Sequence, residues 1–147
     1  MSKPLILELK EGRSIFLKLN TPFTTTEDTA KIPLVTDEIN DKLIYSDNKI
    51  TIGAGVKRVR INAKATIGWN STEGSYKLTL RKNGAIILRD SNNKVASRFA
   101  SVSIVGWIED VVEGDVIELY MSKDSGTMYI PNSPADGTAY MSIDIVG

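Results

Sequence analysis

Histidine and cysteine are both absent from this 147-residue chain, so carboxylates, lysine, serine and tyrosine would have to carry any acid–base or nucleophilic chemistry. Thiol nucleophiles, disulfides, Cys/His zinc sites and imidazole catalysis are thereby excluded. Four acidic pairs remain: Glu27/Asp28, Asp37/Glu38, Glu109/Asp110 and Glu113/Asp115. Glycoside hydrolysis needs two carboxyls facing across a cleft at about 5 to 10 Å, one of them in apolar surroundings. All four pairs sit beside expected turns or in a linker, where carboxylates are solvated. No motif sets a serine beside a lysine as nucleophile and base. Asp90-Ser91-Asn92-Asn93 and Asp124-Ser125-Gly126 gather oxygen ligands but lack the spaced acids and closing glutamate of a calcium loop, and read as Asx-turns. Gly53-Ala54-Gly55 lacks the Lys-Ser/Thr of a phosphate loop and precedes a strand. The expectation is a chain with no catalytic residues, no cofactor and no metal.

Binding chemistry is better represented. The stretch from Ser122 to Gly137 is longer than an ordinary connection and sets Met128, Tyr129 and Ile130 between polar and proline-containing flanks. A saccharide there would stack on Tyr129 or Trp69 and hydrogen-bond to Asp124 or Asn132; a packed loop crossing a subunit seam is the competing reading. Lys57, Arg58, Arg60 and Lys64 read as a solvated strand face. Eighteen basic residues balance eighteen acidic ones, which argues against a nucleic-acid partner.

These residues must be positioned by strands. Val, Ile and Thr together number 39, a β-sheet composition. The longest aliphatic run, Ala85 to Leu88, is far short of the roughly 20 residues of a membrane helix, so no membrane insertion is expected. Glu8, Lys10 and Glu11 interrupt the apolar start before a signal-peptide core forms, which points to folding in a cytoplasm.

Along the chain, Leu5, Leu7 and Leu9 and then Ile15, Leu17 and Leu19 alternate around Glu11-Gly12, predicting an N-terminal hairpin over residues 5–20. Residues 21–30, with five threonines around a proline, read as a linker. Residues 31–39 suit a strand, and 37–45 a helical turn. From Lys49 onward strands follow one another. Val59, Ile61, Ala63, Ala65 and Ile67 alternate with Arg60, Asn62, Lys64 and Thr66, and Tyr76, Leu78 and Leu80 lead into Asn83-Gly84, the strongest local hairpin signal. Asp90–Lys94 reads as a loop, Phe99–Ile108 and Val116–Met121 as strands flanking a turn at Glu113-Gly114-Asp115. Thr138–Val146 closes the chain, with Met141, Ile143 and Ile145 on one face. Seven or eight strands without a long helix predict a sandwich or jelly roll.

From about Ile50 to Gly147 the chain resembles the tumour-necrosis-factor-like jelly roll, shared with complement globular heads and with knobs of virion and spore-surface proteins. The resemblance rests on Gly55-Val56 and the alternating strand to Ile61, on Leu78 through Gly84, on Val111 through Leu119, and on Tyr140-Met141-Ser142-Ile143, in that order. It implies an all-β antiparallel jelly-roll sandwich, preceded by an N-terminal hairpin or arm, that packs as a homotrimer. The layout is similar to small virion proteins of tailed bacteriophages, made in the host cytoplasm and carried on the particle. On that reading residues 1–22 anchor the chain to a capsid or other virion protein through Leu5, Leu7, Leu9, Ile15, Phe16 and Leu17. Residues 23–48 form a Thr-rich linker with a first strand, and 49–147 form the knob. The implied role is a non-enzymatic head fibre or capsid decoration, with a receptor- or glycan-binding knob as the alternative.

Overall fold

Alternation of apolar and polar residues puts one side of each strand in a shared core, and the computed structural model, which describes residues 13–147, realises this as two facing antiparallel sheets. The strands are β1 (Ser14–Lys18), β2 (Phe23–Thr25), β3 (Thr29–Lys31), β4 (Leu43–Ser46), β5 (Lys49–Ile52), β6 (Val59–Ile67), β7 (Gly74–Lys82), β8 (Ala85–Lys94), β9 (Ala100–Ile108), β10 (Val116–Lys123), β11 (Met128–Ile130) and β12 (Ala139–Ile145). One sheet has the order β1-β12-β6-β9. The other runs β4-β5-β10-β7-β8, with β3 on β10 beyond the end of β5. A small pair, β11-β2, bridges them at one end.

Register explains the core. Ile15 faces Ile143 and Ile143 faces Ile61; one step on, Leu17, Met141, Ala63 and Ile104 form the next inward row. Ile15, Leu17, Ile61, Met141 and Ile143 are all buried, as are Leu78, Leu80, Leu119 and Met121 on the opposite sheet. The Asn83-Gly84 hairpin forms as the sequence predicts, both residues having positive φ, 53° and 85°. Asn83 also reaches outward: its amide donates to Asp115 at 2.9 Å, and its side-chain oxygen accepts from the Val116 N–H at 2.9 Å.

Several expectations are corrected. β1 is a core strand of the jelly roll, paired along its length with β12. Ile15 and Leu17 are 2% and 0% exposed and therefore cannot serve as anchoring residues; Phe16, on the other face, is 44% exposed. The first strand of the expected hairpin, with Leu5, Leu7 and Leu9, lies outside the described residues. The outer edge of its second strand is engaged at its two ends: Lys18 exchanges backbone hydrogen bonds with Val35, and Asn40 donates to the Ser14 carbonyl. The divisions at residues 22 and 48 also dissolve, because the Thr-rich stretch supplies β2 and β3, which pair with β11 and β10. No helical turn occurs over 37–45; Asn40 Oδ1 accepts from the Lys42 and Leu43 N–H groups and leads into β4. Asp90–Lys94 is the end of β8 rather than a loop.

Candidate functional site

Two surfaces stand out, one on a sheet face and one at an end. On the outer face of the four-stranded sheet the cross-strand rows read Ser14-Asp144-Arg60-Trp107, Phe16-Ser142-Asn62-Val105 and Lys18-Tyr140-Lys64-Ser103. In the central row the small polar Ser142 and Asn62 lie between the apolar edge residues Phe16 and Val105. Val105 is 72% exposed and Trp107 52%. Phe16 stacks on Tyr140 with ring centroids 5.7 Å apart. Arg60 and Asp144 form an ion pair at 2.8 Å, and the Arg58 guanidinium lies 5.1 Å from the Trp107 ring centre. The basic face expected from the sequence is thus partly neutralised and partly laid over an aromatic ring.

The second surface is at the end of the sandwich remote from Arg13. The Arg13 carbonyl accepts from Ile145, which pairs with Val59, the start of β6. β6 then runs for nine residues, a length of about 26 Å, before the turn bearing Trp69. That turn is held from several sides. The Gly68 N–H donates to the Tyr129 carbonyl at 2.7 Å, and Ser71 Oγ both accepts from the Tyr129 N–H and donates to its carbonyl. Thr72 exchanges hydrogen bonds with Thr127, and the buried Tyr76 hydroxyl donates to the Thr72 carbonyl. Burial raises the Tyr76 phenol above its ordinary pKa of 10.0. Only glycine fits at position 68, since a Cβ would come within 2.5 Å of the Tyr129 ring.

Of the four sequence-derived binding residues, Trp69 and Tyr129 are brought together around Gly68, with Trp69 56% exposed and Tyr129 half-buried. Asp124 lies at the other end of the same turn, beside Gly74, and lines a shallow hollow of about 130 Å³ with Ser75, Lys77 and Ser122. Asn132 is occupied internally, its side-chain oxygen accepting from the Thr138 hydroxyl at 3.1 Å. Sequence reasoning missed Lys94, which is 3% exposed and donates to the Trp69 carbonyl at 2.6 Å. Lying in a polar stretch of Asp, Ser and Asn, it gave no sign of burial. Its counterpart Lys123 is also buried and reaches the Thr26 carbonyl at 3.0 Å and Asp28 at 3.6 Å.

Of the acidic pairs, Glu109 lies 3.6 Å from Arg58 and Asp28 3.6 Å from Lys123. Asp115 faces Asn83 and the Val112 N–H, and these hydrogen bonds, the Asn83 amide first, hold its carboxyl below the ordinary value of 3.8. That is a turn-closing carboxylate. Among the described residues no group of three or more acidic side chains converges in a metal-binding cluster.

No family model matches the chain, and no curated protein matches its sequence. Solved structures do match. The Eiger TNF of S. frugiperda superposes with a TM-score of 0.69 over 92% of each chain at 7% identity. Murine APRIL superposes with a TM-score of 0.66 at 12% identity, over 90% of this chain and 98% of that one; a second murine APRIL structure, at pH 5.0, gives 0.65 at 10% identity. The chain has a TNF-like, all-β jelly-roll fold.

Proposed function

We propose that the protein is a non-enzymatic, homotrimeric jelly-roll knob of a bacteriophage virion, a head fibre or capsid decoration attached through residues N-terminal to β1. The observation that carries the trimer is the exposed set Phe16, Val105 and Trp107 on one sheet face. Val105 and Trp107 are adjacent on one side of β9 and Phe16 lies across the same face on β1, and large apolar side chains exposed in this way mark an interaction surface. A ring of three needs a second, different surface on each copy. The edge beside this face offers one, with Ile86 on β8 and Val95 and Phe99 on the connection to β9, each about half exposed. Attachment is supported by layout: Leu5, Leu7 and Leu9 precede the first described strand, and Arg13 lies at one end of the sandwich with Trp69 at the other.

Replacing both Val105 and Trp107 with Asp tests the face. The expected product is a folded single chain, with an unchanged far-ultraviolet circular dichroism spectrum; retention of the native mass would contradict it. In the native virus, deletion of residues 1–12 is expected to yield particles lacking the knob, and particles carrying it at normal levels would contradict the attachment.

A further inference from the structure

The turn at the end remote from Arg13 has features that the sheet face does not explain. Trp69 exposes 56% of its surface, yet its carbonyl accepts from the Lys94 ammonium and its neighbours Gly68 and Ser71 are hydrogen-bonded to Tyr129 of β11. Burying an ammonium against a carbonyl is unfavourable relative to an apolar side chain of similar size, so stability does not account for Lys94. What Lys94 fixes is the position of Trp69. Asn70, Ser71, Thr72 and Glu73 follow Trp69 in the chain, and the Tyr129 ring and Asn70 side-chain oxygen both lie over Gly68, the residue before it. Among the described residues neither the Asn70 side chain nor the Tyr129 hydroxyl is engaged in a hydrogen bond.

We infer that the Trp69 turn is a platform for a neutral saccharide. The indole offers a flat apolar surface for one face of a pyranose ring, and the free polar groups beside it meet the ring hydroxyls. The surroundings select this class of ligand. Glu73 lies on the turn, Lys94 is buried and committed to the Trp69 carbonyl, and Asp124 offsets the exposed Lys77 in the neighbouring hollow, so no unbalanced positive charge is offered to phosphates, nucleic acids or acidic sugars. The polar run Asn70-Ser71-Thr72-Glu73 that follows Trp69 disfavours a wholly apolar ligand. A fixed turn also loses little conformational freedom on binding. Lys94 is a positioning residue here, acting through the Trp69 backbone. The inference rests on the knob reading only in that attachment at the Arg13 end leaves this end exposed. The two fail separately, since trimerisation is read by mass and this site by sugar binding.

The test is a glycan array spanning neutral, amino and acidic sugars, probed with the full chain and with Trp69→Ala, followed by fluorescence titration. Trp69 and Trp107 are the only tryptophans, so Trp107→Phe makes emission report on Trp69 alone. The expected result is binding to neutral sugars and a saturable change in emission below about 10 mM, a concentration at which even millimolar affinity saturates. Trp69→Ala should weaken binding at least about tenfold with mass and melting temperature unchanged, and Trp69→Phe should restore part of it. Lys94→Met should weaken binding and raise the quenching of Trp69 by acrylamide. No binding across the array, binding confined to acidic sugars, or full binding by a folded Trp69→Ala protein would overturn the inference.

Discussion

Leu17→Ala separates a core strand from an anchoring arm. Leu17 is 0% exposed and sits in the inward row with Met141, Ala63 and Ile104, in the strand hydrogen-bonded along β12. Truncation to alanine removes three carbons, worth about 2.4 kcal/mol at about 0.8 kcal/mol each. Partial collapse of the site leaves a cavity that adds about 1 kcal/mol more, so the loss should be about 3 to 4 kcal/mol. The assay is urea unfolding at one fixed protomer concentration, because dissociation of an oligomer would otherwise contribute to the apparent stability. The midpoint should fall with the slope unchanged. A loss under about 1 kcal/mol, the size of an ordinary surface substitution, would refute the placement of β1 in the core and restore the arm reading.

Truncation draws the same boundary: deletion of residues 1–12 should leave the melting temperature within a few degrees of the parent, whereas deletion of 1–22 removes β1 and should leave no cooperative transition in calorimetry. Asp115 sets a pH dependence. Its folded pKa lies below 3.8, so the stabilisation it contributes is fully present above that value and is lost as pH falls through the folded pKa. Stability of the parent measured between pH 5 and pH 2 should therefore fall more steeply than that of Asp115→Asn, and parallel curves would contradict the assignment. Asn83→Ala loses a turn residue with positive φ and two hydrogen bonds at 2.9 Å, and should cost about 2 kcal/mol in urea unfolding; a loss under about 0.5 kcal/mol would contradict the role given to Asn83.

Much of the fold was readable where a strand carries its own evidence. Val59 to Ile67 alternates without a break, and Asn83-Gly84 meets a backbone requirement that few other residues satisfy, so β6, β7 and the hairpin to β8 were legible from local sequence. The errors fall where the partner is distant. Thr24 pairs with Tyr129, and Thr29 with Ser122, so a polar stretch resembling a linker becomes two strands once residues about a hundred positions away arrive. Asp90 to Lys94 reads as a loop because its residues disfavour strands; tertiary contacts override this, with Asn92 donating to the Ser101 carbonyl and Lys94 to that of Trp69. Leu5 to Leu19 shows the limit of pattern reading. Alternation identified a strand and its buried side but not which neighbour it takes, and β1 takes β12 from the far end of the chain.

The candidate site was legible in part for the same reason. Trp69 and Tyr129 are residue types that bind, but only the Gly68 contact shows that they are neighbours. Asn132 belonged to the same pattern, and its side chain proved to be occupied by Thr138. Of the exposed apolar side chains Phe16, Val105 and Trp107, only Phe16 was singled out from the sequence, as an anchoring residue. Which large side chains lie outside the core depended on the sheet order, which sends Tyr76 inward and Phe16, Val105 and Trp107 outward.

The central claim is that this face joins three copies of the chain. Light scattering coupled to size exclusion, run over a hundredfold range of protein concentration, measures it directly. The account predicts a mass of three chains that persists on dilution. A mass of one chain throughout would contradict it and leave Val105 and Trp107 exposed on a lone β-sandwich.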